Sequence, residues 1–423
     1  MKAKRPVLKL KNQKTSMKIS YGWKICILLF FSTTINYLDR HVLSILAPEL
    51  QQLYQWSEIE YSYIVMAFQV SYGLGVVLTG KLLDKFGTKW IFAIGVALWS
   101  AAGMGHAFAK GALGFGIARF SLGLGESVNF PASVKTVAEL FPPSQKAFAT
   151  GFFNAGSNIG AIVAPLLIPF IAYKFGWQWA FILTGALGFI WLFFWVITYK
   201  PPVKSPKANI VATTPLNWKQ VVLKKEVLTI CLVRFISDPT WWFLLYWLPK
   251  FLNETKAVST GALGWPLVTV YVLADIGSLA GGYYSSHLIK KGKDVYGARK
   301  QALLICALIA LLLCGVGFTN NLWTAVVLIG IGAAAHCGWT ANIFATITDL
   351  FPSNEVGTVM GVATLSAVSG GIVLSLLTGQ ILTLTGGYGG IFMMISFTYL
   401  IGYFLLTRLI PKIKINQPQE DGL

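Results

Sequence analysis

The sequence predicts an all-α membrane protein: twelve transmembrane helices in two pseudo-symmetric six-helix halves. Three observations carry that prediction. The 423-residue chain is 55% hydrophobic and only 12% charged, about half the charge of an ordinary soluble domain. Apolar runs recur along it at the length, roughly 18 residues or more, that crosses a hydrocarbon core of ~30 Å. Finally, residues 136–163, TVAELFPPSQKAFATGFFNAGSNIGAIV, lie over 346–373, TITDLFPSNEVGTVMGVATLSAVSGGIV, without a gap.

The spans fall at 22–44, 60–81, 90–109, 112–135, 147–172, 178–199, 227–252, 262–288, 299–318, 322–347, 356–383 and 388–409. Such continuous runs argue against a membrane β-barrel, whose strands would show short alternating segments. The longest polar stretch between spans is 200–226, rich in proline and lysine. It reads as a cytoplasmic linker between an N-terminal half at 22–199 and a C-terminal half at 227–410, with a basic tail at 1–21 and a second tail at 411–423. Within the repeat, Thr136/Thr346, the Leu-Phe-Pro corners at 140–142 and 350–352, Gly151/Gly361 and Gly160/Gly370 are identical at a constant offset of 210. Two unrelated apolar helices would rarely keep a proline corner and two glycines in register. Halves that cross the membrane in the same direction place a ligand between them, near the midplane.

The net charge is +18, and its distribution speaks for topology rather than for nucleic acid. Of the 34 Lys and Arg, 26 lie in the two tails and the 2–3, 4–5, 6–7 and 8–9 loops. Four (Lys110, Lys174, Lys250, Lys256) lie on the opposite side, and Lys24, Arg40, Arg119 and Arg234 fall inside spans. Lysine and arginine concentrate on cytoplasmic loops, so both termini are expected in the cytoplasm. The basic start leads into a span too long for a cleavable signal. Cys26, Cys231, Cys306, Cys314 and Cys337 all sit in spans with no CxxC spacing, so neither disulfides nor a metal site is expected. Four scattered histidines without HxxxH or HExxH spacing give no support to an enzyme. No cofactor is expected either. One asymmetric charge cluster in an internally duplicated chain fits a channel poorly.

That cluster begins in INYLDRHVLS, residues 35–44, where Asp39 and Arg40 stand together near the end of an otherwise oily span. Arg119 and Glu126, seven residues apart in the fourth span, share a helix face. The 210-residue offset pairs Glu126 with His336 of the tenth span. A carboxylate at this depth costs on the order of 3 kcal/mol, so a functional role is the default reading. His336 is open to two readings, a core histidine bonded to a carbonyl or a ligand contact. Two carboxylates and two guanidiniums are formally neutral, which makes their burial tolerable. Protonating one carboxylate frees an arginine, and an organic anion satisfies it with a two-pronged bond. That is a physical basis for proton–anion symport. Trp241 and Trp242 follow Asp238-Pro239, where proline interrupts the helix ladder, and they offer ring faces to a sugar's C–H face. Asn154, Asn158 and Asn342 suit hydroxyl groups, though polar residues between membrane helices also serve as interhelical glue. Asp275, in the eighth span, receives no role.

GKLLDKFGTKW, residues 80–90, resembles the 2–3 loop signature of the major facilitator superfamily, with Gly80, Asp84, Lys85, Gly87 and Lys89 in register. The second copy, GGYYSSHLIKKGKDVYGARK, lacks the matching aspartate. NYLDR, RFSLGLGESVNFPAS, GFFNAGSNIGAIVAP, GWQWAFILTGALGFIW, SDPTWWFLLYWLPKF and AHCGWTANIFATITDLFP together resemble the anion:cation symporter family across residues 20–410. Within it they are most similar to the bacterial hexuronate transporters, which take up glucuronate and galacturonate with protons. The resemblance implies a functional monomer in the bacterial inner membrane, with a sugar-acid anion and a proton as partners beside the lipid bilayer. An aldonate or aldarate symporter is the alternative, and an organophosphate antiporter a more distant one. It implies that Arg40 meets the substrate carboxylate and that Asp39 and Glu126 carry proton coupling, with Arg119 as charge partner. Tyr37 and Tyr72 match tyrosines near the site. Ser157 and Thr364 stand where related galactonate carriers have amides, a departure that bears on hydroxyl recognition. Asp84 is expected in a conformational latch.

Overall fold

The structure, a computed structural model, describes residues 21–141, 143–201 and 218–410. The expected tail at 1–21, except for Tyr21, the tail at 411–423 and most of the linker at 200–226 therefore lie outside the described residues, as does the side chain of Asp84. Helices α1 (Tyr21–Tyr54), α2 (Glu58–Phe86), α3 (Thr88–Gly105), α4 (Gly111–Glu126), α5 (Asn129–Leu140), α6 (Pro143–Phe175) and α7 (Trp177–Thr198) form the first half. A short α8 (Trp218–Val222) precedes the second half: α9 (Lys225–Ser237), α10 (Pro239–Lys256), α11 (Gly264–Lys290), α12 (Val295–Ala310), α13 (Leu322–Leu350), α14 (Ser353–Thr385) and α15 (Gly389–Leu409).

All twelve expected spans are helical, and four of them depart from a continuous α-helix. The fourth is split between α4 and α5, where Pro131 leaves the carbonyl of Ser127 without its i+4 donor. The seventh is split at Asp238, between α9 and α10, because Pro239 does the same to Phe235. The third and the ninth end in 3₁₀ segments, His106–Phe108 and Leu311–Phe318. Among the described residues, ten helical stretches qualify as membrane spans by length and composition. The two that do not are the first and fourth, the helices that carry Asp39, Arg40, Arg119 and Glu126.

The repeat is geometric as well as sequential. Phe141 and Phe351, at the two proline corners, have the same backbone angles, φ −114° and ψ 142°. Gly160 packs against the Thr34 carbonyl of α1, and Gly370 packs in the same way against the Phe235 carbonyl of α9. Small residues also bring α11 onto α13: Gly277 lies on Ala334 and Gly281 on Gly338. Between apolar helices in lipid, such close approach supplies the packing that hydrophobic burial alone does not. Large apolar side chains including Phe31, Leu113, Phe193 and Leu279 stay exposed on the outside of the bundle, as a lipid-facing belt requires.

The halves meet mainly through α1 with α10, α2 with α14, and α6 with α11. These contacts are on the face away from Tyr21 and Leu409. Gly379 seats against Ser62 and the Glu58 carbonyl, and Gly264 against Pro165. Tyr61 Oη donates to the Tyr246 carbonyl at 2.7 Å, and Ser375 Oγ donates to Gln69 Oε1 at 3.2 Å. Lys250, fully buried, forms ion pairs with Glu58 of the other half and with Glu254. Among the described residues, these contacts hold the two halves together on that one face.

Candidate functional site

A cavity of about 430 Å³ lies between the halves. From the first half, α1 contributes Tyr37, Arg40 and His41, α2 contributes Tyr72, and α6 contributes Asn154, Ser157, Asn158 and Ala161. The second half supplies Arg234, Asp238, Trp241 and Trp242 from α9 and α10, Tyr271 and Asp275 from α11, His336 and Phe344 from α13, and Thr364 from α14. All the expected substrate-contacting residues except Asn342 are in this lining.

Arg40 is the centre of the first-half wall. Its Nη2 and Nε donate to Glu126 Oε2 at 2.8 and 3.0 Å, and Nη2 also reaches Asn36 Oδ1 at 3.3 Å. Its guanidinium carbon lies 4.7, 5.1 and 5.0 Å from the ring centroids of Tyr37, Phe68 and Tyr72. Arg40 faces the cavity, whereas Glu126 is behind it and not part of the lining. Both bonds fall on one carboxylate oxygen, and Glu126 Oε1 has no hydrogen-bond partner among the described residues. The close seating of α4 has a local cause: Gly123 lies on the Phe68 carbonyl of α2 and Gly125 on Trp99 of α3. A side chain at either position would push Glu126 away from Arg40.

Two of the expected charges are arranged differently from the sequence reading. Arg119 makes no ion pair among the described residues; its Nη1 and Nη2 donate to the Arg40 carbonyl at 3.3 and 3.2 Å. It supports the backbone of α1 and holds positive charge behind the site. Asp39 turns away from Arg40, because neighbouring residues on a helix point about 100° apart. It is buried toward Gly103 of α3 and Thr184 of α7, and neither of its carboxylate oxygens has a hydrogen bond of good geometry among the described residues. Asn342 is a correction. Its amide nitrogen donates to the carbonyls of Gly281 and Gly338 at 3.1 and 2.9 Å, so it fastens α11 to α13 outside the cavity.

The second half presents aromatic surface. Trp241 stacks on His336 at 5.5 Å and 8°, while His336 Nδ1 bonds Tyr399 Oη at 2.9 Å. Trp242 packs on Gly371 and is parallel to Tyr246 at 6.0 Å. His41 and Tyr271, from opposite halves, meet edge to face at 5.3 Å and close the cavity over Trp241. His41 directly follows Arg40 in the sequence, a signal the charge reading passes over. Arg234 and Asp238 are also missed as site residues. Arg234 Nη2 and Nε donate to Asp238 Oδ2 at 2.6 and 2.8 Å. The i, i+4 spacing of opposite charges is the signal that could have found them. Asp275, unassigned from sequence, is half-buried in the same wall.

Comparison with known proteins agrees with this architecture. The Major Facilitator Superfamily profile matches residues 29–293 and 230–422. The hexuronate transporter of Escherichia coli K12 is 28% identical, over 94% of this chain and 97% of its own length. The galacturonate transporter of Dickeya chrysanthemi is 30% identical over 72% of this chain and 92% of its own. Among solved structures, a D-xylose-proton symporter superposes with a TM-score of 0.77 at 16% identity, covering 93% of this chain and 99% of that one. The chain belongs to the Major Facilitator Superfamily, and it is a transporter rather than an enzyme.

Proposed function

We propose that the protein is a proton-coupled symporter of a sugar-acid anion, a hexuronate such as glucuronate or galacturonate. The carrying observation is the Arg40–Glu126 pair at the cavity wall, with Arg40 facing the space and Glu126 holding it from behind. A proton on Glu126 removes the counter-charge of Arg40, and the substrate carboxylate then takes that place. Proton and anion thus stabilise each other on the carrier, which is the thermodynamic content of symport. Oε1, which has no hydrogen-bond partner among the described residues, is the oxygen for that proton. Asp39 is the second acid, near enough in the same half for the two to titrate together. The names of the sequence relatives support the substrate class.

Trp241 and Trp242 provide apolar faces for the sugar, and Asn154, Ser157, Thr364 and His336 provide polar contacts for its hydroxyls. The excess of lysine and arginine in the tails and in the 2–3, 4–5, 6–7 and 8–9 loops supports reading the face of Tyr21 and Leu409 as the cytoplasmic one. On this reading the Lys250–Glu58 ion pair and the α2–α14 contact seal the outer side of the carrier. Opening outward requires those contacts to part and the opposite face to close, with Asp84 in the latch that closes it.

Counterflow of labelled glucuronate, galacturonate, galactonate, glucarate and glycerol-3-phosphate in proteoliposomes tests this reading. The hexuronates should exchange, and an imposed inward proton gradient should concentrate them. Exchange of glycerol-3-phosphate alone, or indifference of net uptake to the proton gradient, contradicts it.

A further inference from the structure

Resting on the sugar-acid reading above, we propose that Arg234 and Asp238 form the substrate's second anchor. This pair is a charge-neutral reader of hydroxyl groups that selects sugar acids with one carboxylate over those with two. The pair stands on the second half, whereas Arg40 stands on the first, and both border the same cavity. It is a built feature. Arg234 and Asp238 are each 6% exposed. Two of the five guanidinium N–H groups go to Asp238 Oδ2, and a third donates from Nη1 to Thr364 Oγ1 at 3.2 Å. Ser237 Oγ donates to Asp238 Oδ1 at 3.3 Å and itself receives the Trp339 indole N–H at 3.2 Å. The Arg234 guanidinium also lies 4.9 Å from the Phe344 ring centroid.

Charge decides what such a pair recognises. Arg40 has its counter-ion removed when Glu126 takes a proton, so it presents an unbalanced positive charge. Arg234 keeps Asp238 beside it, four residues on at the end of its helix, and presents none. A second carboxylate arriving there meets a neutralised guanidinium, the Asp238 carboxylate and, further along the wall, Asp275. Its desolvation is not repaid, and two like charges are set against it. A hydroxyl has the opposite fit. It can donate to a carboxylate oxygen and accept from the two remaining guanidinium N–H groups at once. The helix break at Pro239 fixes the geometry, since the Phe235 carbonyl freed by proline lies against Gly370 of α14 and locks α9 in place.

The test compares D-galactonate with galactarate, which differ only in a terminal CH₂OH against a second carboxylate. Binding to the purified full-length transporter is measured by calorimetry. The wild type should bind galactonate at least about tenfold more tightly than galactarate. Asp238→Asn leaves Arg234 with its positive charge uncovered, and should shift that ratio toward galactarate by about tenfold. Thr364→Ala, which leaves the ion pair intact, should weaken galactonate more than galactarate and serves if Asp238→Asn does not fold. Equal or tighter galactarate binding by the wild type overturns the proposal, as does an unchanged ratio in either folded variant. Failure of the sugar-acid reading looks different: the wild type then binds neither acid nor a hexuronate, and the second anchor falls with it.

Discussion

Replacing Arg40 with lysine tests the carboxylate clamp while keeping the charge. Arg40 makes two hydrogen bonds to Glu126 at 2.8 and 3.0 Å and is flanked by three rings at 4.7 to 5.1 Å. A lysine ammonium is a point charge without the planar two-pronged donor set, and it is more strongly hydrated. When the substrate carboxylate replaces Glu126, the variant loses one charge-assisted hydrogen bond, about 1.5–3 kcal/mol. Poorer contact with the rings adds ~0.5–1 kcal/mol. Together these correspond to a ~30- to 1,000-fold loss of affinity. Calorimetric titration of galacturonate into the purified Arg40→Lys protein reads this directly. Affinity within about threefold of wild type, in a monodisperse preparation, refutes the two-pronged role of Arg40.

Three further outcomes follow from the same geometry. At least one of Trp241→Ala and Trp242→Ala should weaken hexuronate binding by about tenfold with unchanged yield, and normal binding by both assigns these rings to packing. Glu58→Gln removes the inter-half partner of buried Lys250, so a cysteine placed at Ser375, buried against Gln69, should react faster with a membrane-impermeant thiol reagent. Unchanged reactivity means the pair does not hold the outer side closed. Gly160→Ala sets a methyl group 2.6 Å from the Thr34 carbonyl and 2.8 Å from Tyr37 Cβ. It should cost about 1–3 kcal/mol, and a wild-type melting temperature contradicts the close packing of α1 on α6.

Much of this architecture is legible in the sequence because a membrane forbids ambiguity. Every backbone polar group must be bonded within its own helix in lipid, so long apolar runs have one solution. The repeat at offset 210 is legible for the same reason as any structural repeat: Gly160 and Gly370 face equivalent carbonyls and tolerate no side chain. Charges in oily helices likewise announce themselves, and Arg40 and Glu126 do meet. What the sequence leaves open is direction around the helix axis. Asp39 is beside Arg40 in the chain and yet buried toward α3 and α7, because the apolar runs of α1 show little contrast between faces. Asn342 looks like Asn154 in sequence, but only the crossing of α11 over α13 decides that its amide is taken up by two carbonyls. Arg234 and Asp238 are overlooked because Pro239 draws the reading toward a helix break, although their spacing is that of an ion pair.

In the proposed function, Glu126 couples the anion to the proton by competing for Arg40. Glu126→Gln tests it most directly, with counterflow and gradient-driven uptake measured in the same vesicles. Glutamine keeps the size of the acid and mimics its protonated form, so Arg40 stays available to the substrate. Exchange of external for internal hexuronate never requires deprotonation, and it should survive. Net uptake requires the empty carrier to return with Glu126 deprotonated and paired again to Arg40, and it should fail under an imposed pH gradient. Retention of gradient-driven uptake at the wild-type level removes Glu126 from the coupling, and loss of both activities in a well-folded protein makes it a binding or structural residue instead.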